Sequence, residues 1–267
     1  TLWTFSKARM NDSGYSFPRG GGKTIEFKVD DFPVSLAVAC STAVPFPFNP
    51  VKIKKKYLAD PKDMKIASPA LMDGGIYDNQ GIHKLTQEKS SYKCDVVICS
   101  DGSGPIKREF RGINPLPVLN RVVSLMMRRI KAMQFIRNVY EKESAKVKEI
   151  AYFSLDWEYD KCLEGFVNAI EHGDVDQEIL DKLKIPKSYY SDKKRINRAA
   201  LLDFLRAAIG YERIISQGLT KREIEEVAEI GTNLTALTER QIDILSKHAS
   251  ALTEIQVKLY CPSLVVT

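Results

Sequence analysis

Apolar and polar positions follow two rhythms along the chain. Up to about residue 110, short apolar runs alternate with turn residues; beyond it, apolar residues recur every three or four positions. Leu2 to Ala8 has the composition of a strand. Asn11-Asp12-Ser13-Gly14 reads as a turn, and Pro18-Arg19-Gly20-Gly21-Gly22 as a flexible loop. Thr24 to Val29 alternates with period two, which predicts a half-buried strand. Residues 31 to 44 predict a helix: Asp30 or Asp31 can cap it, Pro33 suits its first turn and Pro45 ends it. Its body, Val34 to Ala43, is almost all small or apolar, so it is expected to be buried on most sides. Phe46-Pro47-Phe48-Asn49-Pro50 reads as a rigid apolar loop.

Further on, the apolar run Pro69 to Met72 ends in an Asp73-Gly74-Gly75 turn, with a helix predicted from about Gly81. Cys94 to Ser100 reads as a buried strand of a mostly parallel sheet, ended abruptly by Asp101-Gly102-Ser103-Gly104-Pro105. From about residue 115, Leu119, Val122, Val123, Met126, Ile130, Met133 and Ile136 fall at helical spacing, with Arg128, Lys131 and Arg137 opposite. Val147 to Leu155 predicts another strand. Amphipathic helices are predicted near 160–172, 197–216, 220–230 and 238–259, the last opened by the capping box Thr238-Glu239-Arg240-Gln241. Strand, helix, strand, helix and then a helical tail predict an α/β fold, a partly parallel sheet flanked by helices. A single domain is expected over 1–267, with its α/β part over 1–110 and a mainly helical part over 111–267.

Composition narrows the function classes. Hydrophobic residues at 44% and charged residues at 28% match an ordinary soluble domain. No apolar run approaches the roughly 20 residues that span a bilayer. Five cysteines form no C-x-x-C pair and the three histidines are far apart, so free thiols in a reducing compartment are expected and no metal or cofactor is implied. The net charge of +6 is spread along the chain, without the basic stripe and interleaved aromatics of a nucleic-acid binder. It is compatible with a weak pull toward anionic lipid headgroups, and equally with a solvated basic face.

Asp73-Gly74-Gly75 is the candidate for chemistry. Asp-Gly is a common turn pair, but this one closes an apolar strand, and sites in open α/β sheets lie outside the carboxyl ends of strands. Ala39-Cys40-Ser41-Thr42-Ala43-Val44-Pro45-Phe46-Pro47-Phe48 resembles the small-residue helix and proline loop of patatin-like phospholipases. Met72-Asp73-Gly74-Gly75-Ile76-Tyr77-Asp78-Asn79 resembles their aspartate motif, at fitting distance, and Gly231 to Leu237 before a last long helix resembles their ending. The resemblance covers most of the chain and is strongest over 24–105. It implies a lipid acyl hydrolase with a Ser–Asp dyad: a serine in a G-x-S-x-G elbow attacks an acyl ester, and the aspartate takes its proton directly. Glycine-rich backbone amides hold the oxyanion, because a carboxylate is a weak base toward an alcohol. By that resemblance Asp73 is the catalytic aspartate, and Gly74 and Gly75 shape its loop.

The chain departs from the pattern in one respect that decides its reading: it contains no G-x-S-x-G, and so no nucleophile of the family type. Ser103 follows Asp73 and precedes a proline, which reads as a turn leaving a strand. Gly20-Gly21-Gly22 leads into a strand where an oxyanion loop should enter a helix, and Ser41 reads as a packing residue. His83 reads as a helix-surface histidine, and Asp78 and Asn79 as residues that cap or bend the chain into the next helix. Lys54-Lys55-Lys56 beside Phe46-Pro47-Phe48 could form an apolar lip with a basic rim; a solvated loop is the simpler reading.

The expectation is therefore the C-terminal portion of a patatin-like hydrolase, cytoplasmic or membrane-peripheral. It would act on phospholipid or another acyl lipid, bind no nucleic acid, and receive its serine elbow from a missing N-terminal segment. Two rivals stand beside it. One is a patatin-like module that binds lipid or a partner without chemistry. The other is a different α/β enzyme in which Asp73 is a plain turn residue and another polar cluster lines a pocket.

Overall fold

The computed structural model describes residues 2–16, 18, 22–45, 47–87, 90–103, 115–135, 149–190, 196–231 and 235–265. The fold is mixed α/β and mainly helical. In chain order it begins β1 (Thr4–Phe5), β2 (Met10–Asn11), α1 (Ser13–Ser16), α2 (Val34–Ser41), β3 (Val51–Lys52), β4 (Ala70–Leu71), α3 (Gly75–Asp78), α4 (His83–Thr86) and β5 (Val96–Asp101). It continues with α5 (Pro115–Phe135), β6 (Glu149–Ser154), α6 (Tyr159–His172), α7 (Gln177–Lys182), α8 (Arg198–Ile209), α9 (Tyr211–Gln217), α10 (Lys221–Glu229) and α11 (Glu239–Tyr260). The described strands form three separate pairs, where the sequence predicts one larger sheet; only β5 and β6 run parallel. Contacts divide the chain into two units, residues 1–81 with 111–134, and residues 82–110 with 135–267.

The first unit is built from loops around an aromatic core. Leu2 to Ala8 yields only the two-residue β1, because the chain reverses at once: Ser6 N–H donates to the Arg9 carbonyl at 2.9 Å, and the Ser6 hydroxyl accepts from Arg9 N–H at 3.1 Å. The predicted turn at 11–14 opens α1 instead, since the Asp12 carboxylate accepts from the Gly14 and Tyr15 amides. Thr24 to Val29 keeps its period-two burial, Ile25 and Phe27 inward and Glu26 and Lys28 outward, but among the described residues its strand pairing is the single bridge of Phe27 opposite Leu58. Trp3, Phe27, Phe32 and Tyr57 pack edge to face, with Trp3–Phe27 centroids 4.8 Å apart and Phe32–Tyr57 centroids 4.7 Å apart, a favoured arrangement of ring quadrupoles. Met10, Ile53 and Leu58 complete the buried centre.

Helix α2 departs from expectation in two ways. It is N-capped by Pro33, and neither Asp30 nor Asp31 makes a cap bond. It is also not buried on most sides: Cys40 alone is buried, and Val34 is 79% exposed. Small residues with no polar stripe allow burial on any face, but they do not supply the neighbours that achieve it.

The second unit packs helices on the parallel pair. β5 and β6 run in register from Val96 opposite Glu149 to Asp101 opposite Ser154. β5 buries Val97 and Cys99 and leaves Ile98 half exposed, so it is a one-faced strand where the sequence suggests a fully buried one. Helix α11 packs on β6 and on α6, α8, α9 and α10. Its capping box forms as expected, Thr238 accepting from Gln241 N–H, and a second box at Thr220 and Glu223 opens α10. The helix predicted over 197–216 is two helices, because Gly210 takes the left-handed conformation at φ 68° and ends α8.

His248 lies fully buried on α11. Its Nε2 is 3.1 Å from the Leu155 carbonyl, which only accepts, so Nε2 carries the proton and Nδ1 accepts from the Tyr159 hydroxyl at 3.2 Å. Tyr159 in turn accepts from Leu219 N–H. Burial pushes the His248 pKa below its ordinary 6.5, outweighing the Leu155 hydrogen bond. The folded chain thus resists a proton that the unfolded chain takes up as pH falls through 6.5. Stability is expected to be highest above that value and to decline from it toward the lower folded-state pKa. Urea midpoints at descending pH check this; His248→Gln should flatten the decline, and an unchanged slope would exclude His248 as its source.

Candidate functional site

The strand β4 and the short helix α3 set the position of Asp73. Its backbone N–H donates to the Ala43 carbonyl at 2.9 Å, so the end of the small-residue segment holds the start of the aspartate turn. Its Oδ1 accepts from Gly75 N–H at 2.6 Å, closing a turn two residues long. Asp78 ends α3 and Asn79 continues in helical geometry; contrary to the sequence reading, neither caps the next helix, since Ile82 is its N-cap and Gly81 at φ 68° bends the chain. The helix expected from Gly81 is only the single turn α4.

The two glycines differ. A Cβ on Gly75 would lie 2.5 Å from Met127 Cε, 2.6 Å from Asn79 Oδ1 and 2.9 Å from Asp73 Oδ1, whereas one on Gly74 would meet nothing within 4 Å. Only Gly75 is required by packing, and it lets the carboxylate, Asn79 and α5 converge. Gly75→Ala is expected to destabilise by about 1–3 kcal/mol, the usual cost of overpacking. Thermal unfolding measures it, and Met127→Ala in the same chain should recover part of the loss. An unchanged melting temperature would mean the contact is relaxed without strain.

Asp73 lines a cleft of about 300 Å³. Leu2, Trp3, Phe5, Leu71, Met72, Ile76 and Tyr77 line it together with Cys40 and Ser41. Ser41 is exposed on this cleft, which corrects its reading as a packing residue. It makes no hydrogen bond to Asp73, among the described residues. Cys40 is a poor nucleophile, because burial pushes its thiol pKa up. The Trp3 indole nitrogen is shut off from water and has no hydrogen-bond partner among the described residues.

The remaining candidates lie elsewhere. Ser103 donates its N–H and hydroxyl to Asp101, whose other oxygen accepts from the Tyr152 hydroxyl at 2.7 Å. This is the strand-leaving turn that the sequence predicts, strengthened by a cross-strand tyrosine. His83 opens α4, half buried, and pairs with the Gln87 amide. Lys54, Lys55 and Lys56 are exposed, as is Phe48, while Phe46 lies outside the described residues together with Gly20, Gly21 and 232–234 of the ending motif. Sequence reading missed the buried Glu149, which accepts from Lys182 at 3.0 Å and from Ser263, and the His248–Tyr159 pair. Nothing in a lone Glu or His marks it as buried until its partners, dozens of residues away, are known.

All five cysteines are free, and among the described residues no cluster of His, Cys, Asp and Glu could hold a metal ion. No described helix is long and apolar enough to cross a membrane. Compared with known proteins, the chain matches no family model, no curated protein and no solved structure.

Proposed function

We propose that this chain supplies the aspartate of a patatin-like lipid acyl hydrolase, with the serine nucleophile contributed by a segment outside these 267 residues. One observation supports the reading most. The two blocks that carry the resemblance, about thirty residues apart, meet in space: Ala43 holds the Asp73 amide, and Ser41 and Asp73 line one apolar-walled cleft. The walls suit an acyl chain, which gains about 0.8 kcal/mol for each methylene taken from water. With Oδ1 engaged by Gly75, the other carboxylate oxygen is the one to accept the serine proton as Oγ attacks the ester carbon. The same proton then goes to the departing alcohol, and water repeats the sequence to release the fatty acid.

A second reading keeps the cleft without the chemistry. It is favoured by the turn that already uses the Asp73 carboxylate, and by the lack of any serine bonded to it among the described residues. The test is fatty-acid release from phospholipid vesicles by the full gene product that carries this sequence. Release that depends on Asp73 supports the hydrolase. Lipid retention without release, read by a change in Trp3 fluorescence, supports the binding module. Neither release nor retention would sink both.

A further inference from the structure

Helix α5 carries an apolar face that no described residue covers. Val118, Leu119, Val122, Leu125, Met126 and Met133 are each between 38% and 61% exposed. At 100° per residue they form one stripe along the helix. None of the described side chains of α5 is buried. The sequence predicts apolar residues at helical spacing here, with Arg128, Lys131 and Arg137 opposite; the structure leaves Leu119, Val122, Met126 and Met133 of that set exposed.

Charge decides what can cover it. Residues 115–135 contain Arg121, Arg128, Arg129 and Lys131 and not one Asp or Glu. Arg129 falls within the stripe and Arg121 and Arg128 flank it. Arg128 and Arg129 are exposed and form no ion pair with a described residue. A second copy of the chain would bring the same arginines, and no acidic residue of α5, to the contact. The helix cannot span a bilayer, since the arginines interrupt its apolar run. An anionic bilayer surface satisfies both features: the stripe enters the acyl boundary and the arginines reach the headgroups.

We propose that α5 is the surface on which this protein lies on anionic membranes. The helix is about 31 Å long, 1.5 Å for each residue, enough to lie along a bilayer as an in-plane anchor. Met127 connects it to the aspartate turn, its Cε occupying the space that a Gly75 side chain would need. Met127 projects from the side of α5 away from the stripe, so docking would hold the protein at a lipid surface with α5 between that surface and the aspartate turn. The biological sense of this rests on the acyl-lipid reading of the cleft; the test does not.

The experiment is flotation of the full chain with phosphatidylcholine vesicles, with and without phosphatidylserine. The parent should bind the phosphatidylserine vesicles more tightly. Arg128→Glu with Arg129→Glu should weaken that binding by about 30-fold or more, taking the usual worth of two basic residues at an anionic surface. Leu125→Asp with Met126→Asp should weaken it at least about tenfold. All four positions are exposed, so melting curves should match the parent. No binding by the parent, or parental binding by both variants, overturns the proposal. So does a dimer that the Leu125→Asp, Met126→Asp variant converts to monomer, because the stripe then belongs to a second copy. Asp73→Asn should bind vesicles like the parent. In the full gene product, binding without fatty-acid release would leave the surface standing and remove the hydrolase; parental release by the α5 variants would do the reverse.

Discussion

In the full gene product, the hydrolase proposed for this chain predicts that Asp73→Asn lowers fatty-acid release by about 10²–10⁴-fold, the range that a positioned general base contributes. The substitution separates chemistry from structure. Asparagine keeps a side-chain oxygen that can accept from Gly75 N–H, so the turn survives. What it loses is the ability to take a proton. Melting temperature should therefore stay close to the parent while kcat falls, with KM little changed, because the cleft residues proposed to hold the acyl chain are untouched. Asp73→Ala should lose both activity and stability, since the Gly75 amide then has no acceptor. Equal activity in parent and Asp73→Asn would reduce Asp73 to a turn residue and leave the binding reading in place.

Phe166→Ala is expected to destabilise the chain by about 3–5 kcal/mol, a large part of the roughly 5–15 kcal/mol that holds a domain folded. Phe166 is fully buried on α6, and its ring stands edge-on to Tyr260 of α11 with centroids 4.8 Å apart. Truncation removes the apolar transfer free energy and leaves a cavity between two helices that other contacts hold apart. Phe166→Leu should recover more than half of the loss. Denaturant unfolding measures both, and a loss under about 1 kcal/mol for the alanine would mean the helices close over the gap.

The helical half of the fold is the more legible in sequence, and the reason is periodicity. The predicted start of α11 at Thr238 matches the structure because a capping box is local. The strand near 149–154 and its parallel partner near 96–101 stand out as short apolar runs. The first hundred residues are harder. Leu2 to Ala8 has a strand's composition, but Ser6 and Arg9 close a reversal that no propensity records. α2 looks buried from its small residues, yet burial depends on neighbours from elsewhere in the chain. For the candidate site, Asp73 and its two glycines are visible in the Asp73-Gly74-Gly75 turn. That Ser41 shares the cleft, that Gly74 is sterically unconstrained, and that the stripe of α5 faces outward all depend on distances set in space.

The parallel pairing of β5 with β6 has a consequence during synthesis. A parallel partner cannot be supplied by a hairpin, and this one follows about 50 residues later. At about 5–20 residues per second, β5 leaves the ribosome roughly 3–10 s before the strand that completes it. In that interval Val97 and Cys99 have no sheet to join, and α5 has already emerged with its apolar stripe. The nascent chain should therefore be a ligand for holding chaperones until β6 appears. Ribosomes stalled with α5 outside the exit tunnel and β6 still within it should retain such chaperones, and ribosomes stalled with β6 and α6 fully outside the tunnel should release them.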